Sequence, residues 1–248
     1  KKGLELAVEE VNNAGGILGK QIELYVEDSK SVGKEGVTVT QKLLLSEIAP
    51  DLLYVQLSSV SLPVKPIAEK SKTIMYGLSG SEKLIENFEY TFRNWVAPWI
   101  AGKQLANKIE EKFTPKKVGI FHSNDDFGKS MNKWVSKNLN EKNINVTFSE
   151  TFIESSLDYK SLILKNNPND VDIIYVVGLG QGLGTLIKQL RELKYEGTIV
   201  GDITTPFPNV MEAAGDSAKG VYYLDFDFDL ESKNSTTKNF INNFEKKF

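Results

Sequence analysis

The chain has no cysteine. That absence excludes thiol catalysis, thiolate-held metals and disulfides together, and it leaves the redox compartment open. Histidine occurs once, at His122, so it can build neither a zinc site nor a conventional triad unaided. His122 follows the strand-like run VGIF, which predicts a structural or surface position at a strand end. No apolar run approaches the ~20 residues of a membrane-crossing helix. Charge of one sign is missing too: 30 Lys and Arg stand against 33 Asp and Glu, for a net charge of −3. The lysines are spread among glutamates along helices as solvated faces, so no basic surface for nucleic acid is expected. What is there is a globular composition, 40% hydrophobic and 25% charged over 248 residues, long enough for two domains.

Helix-like and strand-like runs alternate almost without interruption. An amphipathic helix at 2–13, with Leu4, Ala7, Val8 and Val11 on one face, leads through NAGGILGK to a strand at 21–28, QIELYVED. Helix 34–47, a strand ending at 57, helix 62–71 and the short strand TIMYG follow. After a looser stretch at 78–96, helix 98–113 leads to strand 116–122 and helix 127–140. The remainder reads as strand 145–150, helix 158–166, strand 172–178, helix 182–193, strand TIVGD, a short helix near 209–214 and strand GVYYL. The closing segment is a helix with Phe240, Ile241 and Phe244 apolar. Such alternation predicts an α/β fold with mainly parallel sheets flanked by helices. The rhythm breaks at 78–97 and again in DFDFDL at 225–230. Two breaks around one α/β unit predict a chain that crosses to a second lobe and returns. The expected domains are a first lobe at 1–97, a second lobe at 98–224 and a returning segment at 225–248, with a cleft between two open sheets. Ligands of such sheets bind at strand carboxyl ends, beside helix N-termini.

The stretch YVVGLGQGLG at 175–184 has the strand, glycine turn and helix order of a phosphate cradle. No register fits G-x-G-x-x-G, however: the third-glycine positions are Leu183, Thr185 and Ile187. Asp202 does stand 22 residues after Gly180, where a ribose-binding acid would be, and ends the next strand. There is no G-x-x-x-x-G-K-[ST]. Two readings stay open for the glycines, a tight strand-to-helix turn or a turn at the mouth of a ligand cleft.

From Gly3, GLELAVEEVNNAGGILGKQIELYVEDS resembles the opening of the type I periplasmic solute-binding proteins, the leucine/isoleucine/valine-binding family of ABC importers. The features carrying it are a helix ending in N-x-A-G-G-I-x-G-[KR], a strand, and the acidic pair Glu27 and Asp28. The similarity continues in LSSVSLPVKPIAEK, in GLSGSEKL, in the crossover FRNWVAPWIAGKQLANKI, in VGIFHSNDDFGKSM with its D-x-x-[YF]-G loop, and in AAGDSAKGVYY. Motifs in this order, spread from residue 3 to about 224, are specific together where each alone is weak. Family members begin with a strand before the first helix and continue past residue 248. The resemblance therefore implies a two-lobed "Venus-flytrap" fold whose first lobe is incomplete here and exposes sheet edge and apolar surface.

The resemblance also implies function. The expected protein is not an enzyme and uses no cofactor and no metal. It captures a small polar ligand, an amino acid or related carboxylate or amide, between the lobes and delivers it to a membrane ABC permease. It is expected to be a monomer, periplasmic or extracellular, with or without a lipid anchor whose signal this chain does not contain. The alternatives are a ligand-sensing receptor ectodomain of the same fold and, more remotely, a nucleotide-dependent α/β enzyme. In the family's amino-acid binders the ligand's carboxylate and ammonium are held by the two first-lobe turns. Ser58 matches the serine of the first turn, Ser79 a backbone-contact position and Ser81 the hydroxyl position of the second. Hydroxyls and N–H groups at a helix start suit an anion without any family argument, and equally they cap helices. Phe127 stands where the family's loop supplies an aromatic. Gly180, with Gln181 beside it, replaces an aromatic, which implies a wider pocket. Asp202 is the candidate partner for an ammonium, one residue from the aligned position Ile203. Trp95 and Trp99 border the crossover, where hinge packing competes with cleft lining.

Overall fold

The computed structural model describes residues 1–226 and 228–248. Position 227, inside the predicted break at 225–230, lies outside the described residues. The chain divides into two compact units, 1–28 with 226–248, and 29–225.

The smaller unit pairs α1 (Lys2–Asn13) with α9 (Ser235–Lys247). Lys247 meets the Glu9 carboxylate, Asn243 donates to Glu10 at 2.7 Å, and the Lys2 ammonium lies 5.2 Å from the Phe248 ring centre. Leu6 is the buried residue of α1 and lies off the predicted face, on which Leu4 and Val8 are half-buried while Ala7 and Val11 are exposed. After the helix Gly16 (φ +76°) has no room for a side chain, since a Cβ would lie 2.0 Å from the Lys20 carbonyl oxygen.

The strand predicted at 21–28 does not form. A strand needs a neighbour for its N–H and C=O groups, and none of the described strands pairs with this stretch. Asn12 serves Ile22 instead, accepting its N–H at 2.7 Å and donating to its carbonyl at 2.9 Å. Leu24, Tyr25 and Val26 consequently stay exposed.

The larger unit holds two sheets, both wholly parallel. The first has the order β1 (Leu52–Gln56), β2 (Ile74–Leu78), β3 (Thr91–Arg93), with α2 (Gly33–Leu45) and α3 (Ser58–Ser71) on one side. β3 falls inside the stretch read as irregular, because three residues are too few to show a period. α3 begins four residues before its predicted start. Pro63 and Pro66 make 62 look like a first turn, yet the helix carries both prolines in its interior.

The second sheet runs β5 (Asn145–Phe152), β4 (Lys117–Ser123), β6 (Ile173–Val177), β7 (Thr198–Gly201), β8 (Tyr222–Tyr223). Alternation along β6 splits two cores. Ile173, Tyr175 and Val177 face α4 (Pro98–Phe113) and α5 (Asp126–Glu141). Ile174 and Val176 face α7 (Gly180–Glu192), which packs on α8 (Pro208–Ala214). The short α6 (Lys160–Lys165) adds Ile163 to that second core. His122 is buried in β4, with Nδ1 3.0 Å from the Ser123 carbonyl and Nε2 3.3 Å from Thr151 Oγ1. Burial holds its pKa below the usual value, so it is a neutral structural residue.

Candidate functional site

The first sheet supplies a wall of hydroxyls at its strand carboxyl ends. Past β1, Leu57 adopts φ 68°, ψ 140°, a strained backbone costing about 1–3 kcal/mol for a non-glycine residue. Its N–H donates to the Leu78 carbonyl at 3.0 Å, and its own carbonyl accepts from the N–H and hydroxyl of Ser61, each at 2.8 Å. The strained turn makes Ser58 the first residue of α3, beside the end of β2. There Ser79 Oγ lies 2.9 Å from Ser58 Oγ and accepts the Ser81 N–H at 3.2 Å, while Ser81 Oγ accepts the Lys83 N–H at 3.2 Å. All three serines are buried. Of their three hydroxyl protons only the one shared by Ser58 and Ser79 has an acceptor among the described residues. Two remain to be given to a ligand.

Behind this wall a buried and a half-buried cation hold carbonyls. Lys65, 5% exposed, donates to the carbonyls of Lys83 and Glu86 at 2.6 and 2.9 Å. Arg93 at the end of β3 donates to the carbonyls of Ser79 and Ser81. The segment 79–86 is thereby pinned from one side.

The second sheet supplies the opposite wall. Asp125 caps α5 by accepting the Gly128 N–H at 2.7 Å, and this turn aims Phe127 at the serine turn. The Phe127 ring lies so close to Gly80 that a Cβ there would sit 2.4 Å from it. Asp202, fully buried, follows β7. Its Oδ1 accepts the Thr204 N–H at 3.1 Å and lies 2.6 Å from Thr204 Oγ1, which is also 2.5 Å from the Gly178 carbonyl. One hydroxyl proton cannot serve two acceptors, and the count closes when Asp202 carries a proton and donates it to Thr204. Burial, the largest cause, pushes the Asp202 pKa up to about 7, in agreement with that count. Asp202 Oδ2, Tyr175 Oη and Thr205 Oγ1 are all buried without a hydrogen-bond partner. Gly80, Phe127 and Asp202 line one narrow gap with Trp95, Met131 and Leu224.

The structure thus brings Ser58, Ser79 and Ser81 together on either side of Gly80, and Gly80 lines one gap with Phe127 and Asp202. The three serines, Gly180 and Gln181 stand outside the lining of that gap. The glycines of YVVGLGQGLG each have a separate packing reason. A Cβ on Gly178 would lie 2.6 Å from the Phe152 ring, one on Gly182 2.3 Å from the Glu154 carbonyl oxygen, and one on Gly184 2.2 Å from the Val210 carbonyl oxygen. Gly180 takes φ +65° at the first residue of α7. Glu154, which accepts the Leu179 N–H at 2.6 Å, is pushed up to about 7, chiefly by burial. Met131, Val96 and Leu224 also line the gap. Nothing in their local sequence separates them from core residues, because only the fold aims them there. Trp99 packs edge-on to Trp134, their ring centres 6.3 Å apart, whereas Trp95 borders the gap.

Polar contacts tie the two walls. Lys83 pairs with Asp126 at 2.6 Å, Glu82 accepts from Lys133 at 2.7 Å and from Trp134 Nε1 at 3.0 Å, and the Glu82 N–H donates to Ser130 Oγ at 3.2 Å. Such half-exposed pairs are individually worth about 0–1 kcal/mol.

Two parallel sheets whose strand ends meet around one small, mainly apolar gap with a single acid define the class, a cleft-binding α/β protein. The chain belongs to the periplasmic binding protein family, whose model matches residues 1–248. Members of this family are solute binders rather than enzymes. The Leu/Ile/Val-binding protein of Escherichia coli K12 is 24% identical over 221 residues, covering 88% of this chain and 60% of that protein. The chain therefore spans about 60% of the length of such curated relatives. The branched-chain amino acid transporter substrate binding protein of Streptococcus pneumoniae, solved with isoleucine, superposes with a TM-score of 0.86 at 25% identity, over 100% of this chain and 71% of that one. A solute binding protein of an ABC transporter from R. palustris, solved with benzoate, shares the fold at a TM-score of 0.84 and 21% identity, over 100% of this chain and 68% of that one.

Proposed function

We propose that this chain is the ligand-capturing part of the solute-binding component of an ABC importer, working in the periplasm or outside the cell and delivering its cargo to a membrane permease. The lobes would be 1–97 and 98–224, with 225–248 returning to the first. The cargo is a small carboxylate-bearing solute, with amino acids as the leading class. The observation that carries this reading is the complementarity of the walls. Gly80, set among serines two of whose hydroxyl protons have no acceptor among the described residues, lines one side of the gap, and a buried acid with a partnerless oxygen lies on the other. A zwitterion satisfies both, its carboxylate at Ser58, Ser79 and Ser81 and its ammonium at Asp202, which gives up its proton as the ammonium docks, with Phe127 packing on its body. Gly180 and Gln181 are assigned a secondary role, at the edge of a larger ligand. The amino-acid complexes among the relatives support the ligand class.

The test is a thermal-shift screen of the full-length protein against amino acids, their amides, short-chain acids and aromatic acids, followed by calorimetry on each hit. Changing Ser58 and Ser81 together to alanine is expected to weaken the best acid about tenfold or more, since each removes a hydrogen bond to a charged group. Unchanged affinity in the double variant overturns the site assignment.

A further inference from the structure

Arg93 is a charged residue at the site that amino-acid recognition by serines and an acid does not use. Its Nη atoms donate to the Ser79 carbonyl and, at 2.7 Å, to the Ser81 carbonyl, and its Nε is buried with no partner. The Trp99 ring covers the guanidinium, 5.6 Å from Cζ. Among the described residues no carboxylate forms an ion pair with it. Two acids of the surrounding elements are engaged elsewhere, Glu82 with Lys133 and Trp134, and Glu69 with the N–H groups of Glu89 and Tyr90. A part-buried positive charge thus sits against the serine turn without a counter-charge, and its pKa is lowered by that burial.

The peptide plane says where the charge acts. In a trans peptide the C=O and the next N–H point in opposite directions. Drawing the Ser79 and Ser81 carbonyls onto Arg93 therefore turns the Gly80 and Glu82 N–H groups away from it. The Glu82 N–H does point to the far wall, where Ser130 accepts it. The Gly80 N–H, on the residue that lines the gap, makes no hydrogen bond among the described residues. The carbonyls neutralise Arg93 only as dipoles, and the same polarisation makes the N–H ends of those peptides better anion donors.

We infer that Arg93 is a positioning residue for anion recognition: it fixes and polarises the 79–82 turn from behind, and the ligand's carboxylate serves as its counter-charge across that turn. The inference rests on the carboxylate reading proposed above and deepens it, because it makes the negative charge, rather than hydrogen-bonding capacity alone, the property selected by this wall. A neutral amide of the same shape can accept the same hydrogen bonds but leaves the guanidinium uncompensated.

The experiment pairs each acid with its amide, L-leucine with L-leucinamide and benzoate with benzamide, and measures both by calorimetry on the full-length protein and its Arg93→Gln and Arg93→Lys variants. Arg93→Gln is expected to weaken the bound acid about tenfold or more and its amide by less than about threefold, so that the acid-over-amide preference collapses. Arg93→Lys keeps the charge but loses the fork, so both members should weaken while their ratio stays within about threefold of the parent's. Equal weakening of acid and amide in Arg93→Gln assigns the residue to scaffold support only and overturns the inference, as does a lost preference in Arg93→Lys. If Arg93→Gln does not fold, the Arg93→Lys ratio alone decides. A parent protein that binds none of the screened acids overturns the carboxylate reading and this inference together, whereas binding of an acid with a ratio unchanged in Arg93→Gln overturns only the latter.

Discussion

The two parallel sheets of the larger unit are built from the same kind of sequence, yet they are covered differently. In the five-stranded sheet, β6 is buried at every residue, and helices cover both faces. In the three-stranded sheet, Leu53 and Met75 pack under Val60, Val64 and Leu84, but the opposite face leaves Leu52 47%, Ile74 40% and Phe92 46% exposed. Parallel sheets normally bury both faces. The site draws one wall from each sheet, so a rigid wall bearing Asp202 faces a wall whose order depends on local devices. The devices are the strained turn at Leu57, the serine hydrogen bonds, and the Lys65 and Arg93 clamps on the carbonyls of 79–86. A well-covered sheet can place a buried acid, whereas a half-covered one places hydroxyls and N–H groups by pinning its loops.

The largest effect that could break this comparison lies in the doubly covered sheet. Phe121 is fully buried in β4, its ring centre 5.1 Å from that of Phe148. Phe121→Ala is expected to cost about 3–5 kcal/mol in urea denaturation, the transfer loss plus a cavity closed in on every side. A cost below about 1 kcal/mol would mean that this sheet is no better consolidated than the other.

The next effect is electrostatic. The folded Asp202 carboxyl titrates near 7, while an unfolded one titrates near 3.9. Between those values the folded state holds the extra proton, so the stability that Asp202 contributes at low pH is lost as pH rises through the window. Asp202→Asn supplies a donor to Thr204 without that titration. It is expected to flatten the fall in stability between pH 5 and 8, with a gain at pH 8 of up to about 4 kcal/mol, from roughly three pKa units at about 1.4 kcal/mol each. Glu154, also raised to about 7, leaves a residual slope of the same sign. Denaturation curves at both pH values check this, and identical slopes in parent and variant would remove the neutral-acid assignment.

The doubly covered sheet was also the more legible in the sequence. Helix 98–113 and the strands around 117–123 and 173–177 stand out because continuous apolar runs and full-length amphipathic helices carry strong periods. The half-covered region was read less well, for identifiable reasons. β3 is three residues long, and prolines inside α3 disguise its start; in the smaller unit, residues 21–28 alternate like a strand but find no described partner. At the site, Ser58, Ser79 and Ser81 were singled out by the family resemblance, since a serine at a helix start reads equally well as a cap. Met131 could not, since a methionine on an amphipathic helix looks like core. Arg93 and Lys65 were lost among many surface cations, because only their burial against carbonyls sets them apart. The glycines of 178–184 gave one signal for several unrelated contacts.

The smallest effect sharpens the comparison most. Ile74 opens β2 and sits opposite Leu52 in register, both on the face that lacks a helix. Ile74→Thr keeps a β-branched side chain, so strand propensity changes little, and the lost apolar area was already largely in water. The expected change in unfolding free energy lies within about 0.5 kcal/mol, the range of ordinary surface substitutions. The same change is expected to lower self-association at high protein concentration, because an exposed apolar sheet face is a template for unwanted contacts. Denaturation and light scattering on the full-length protein read the two quantities separately. A cost of about 2 kcal/mol or more would mean that this face is covered in the full-length protein. The serine wall would then rest on a second core of its own, and the clamps of Lys65 and Arg93 would be reinforcements of an ordered wall rather than the means of ordering it.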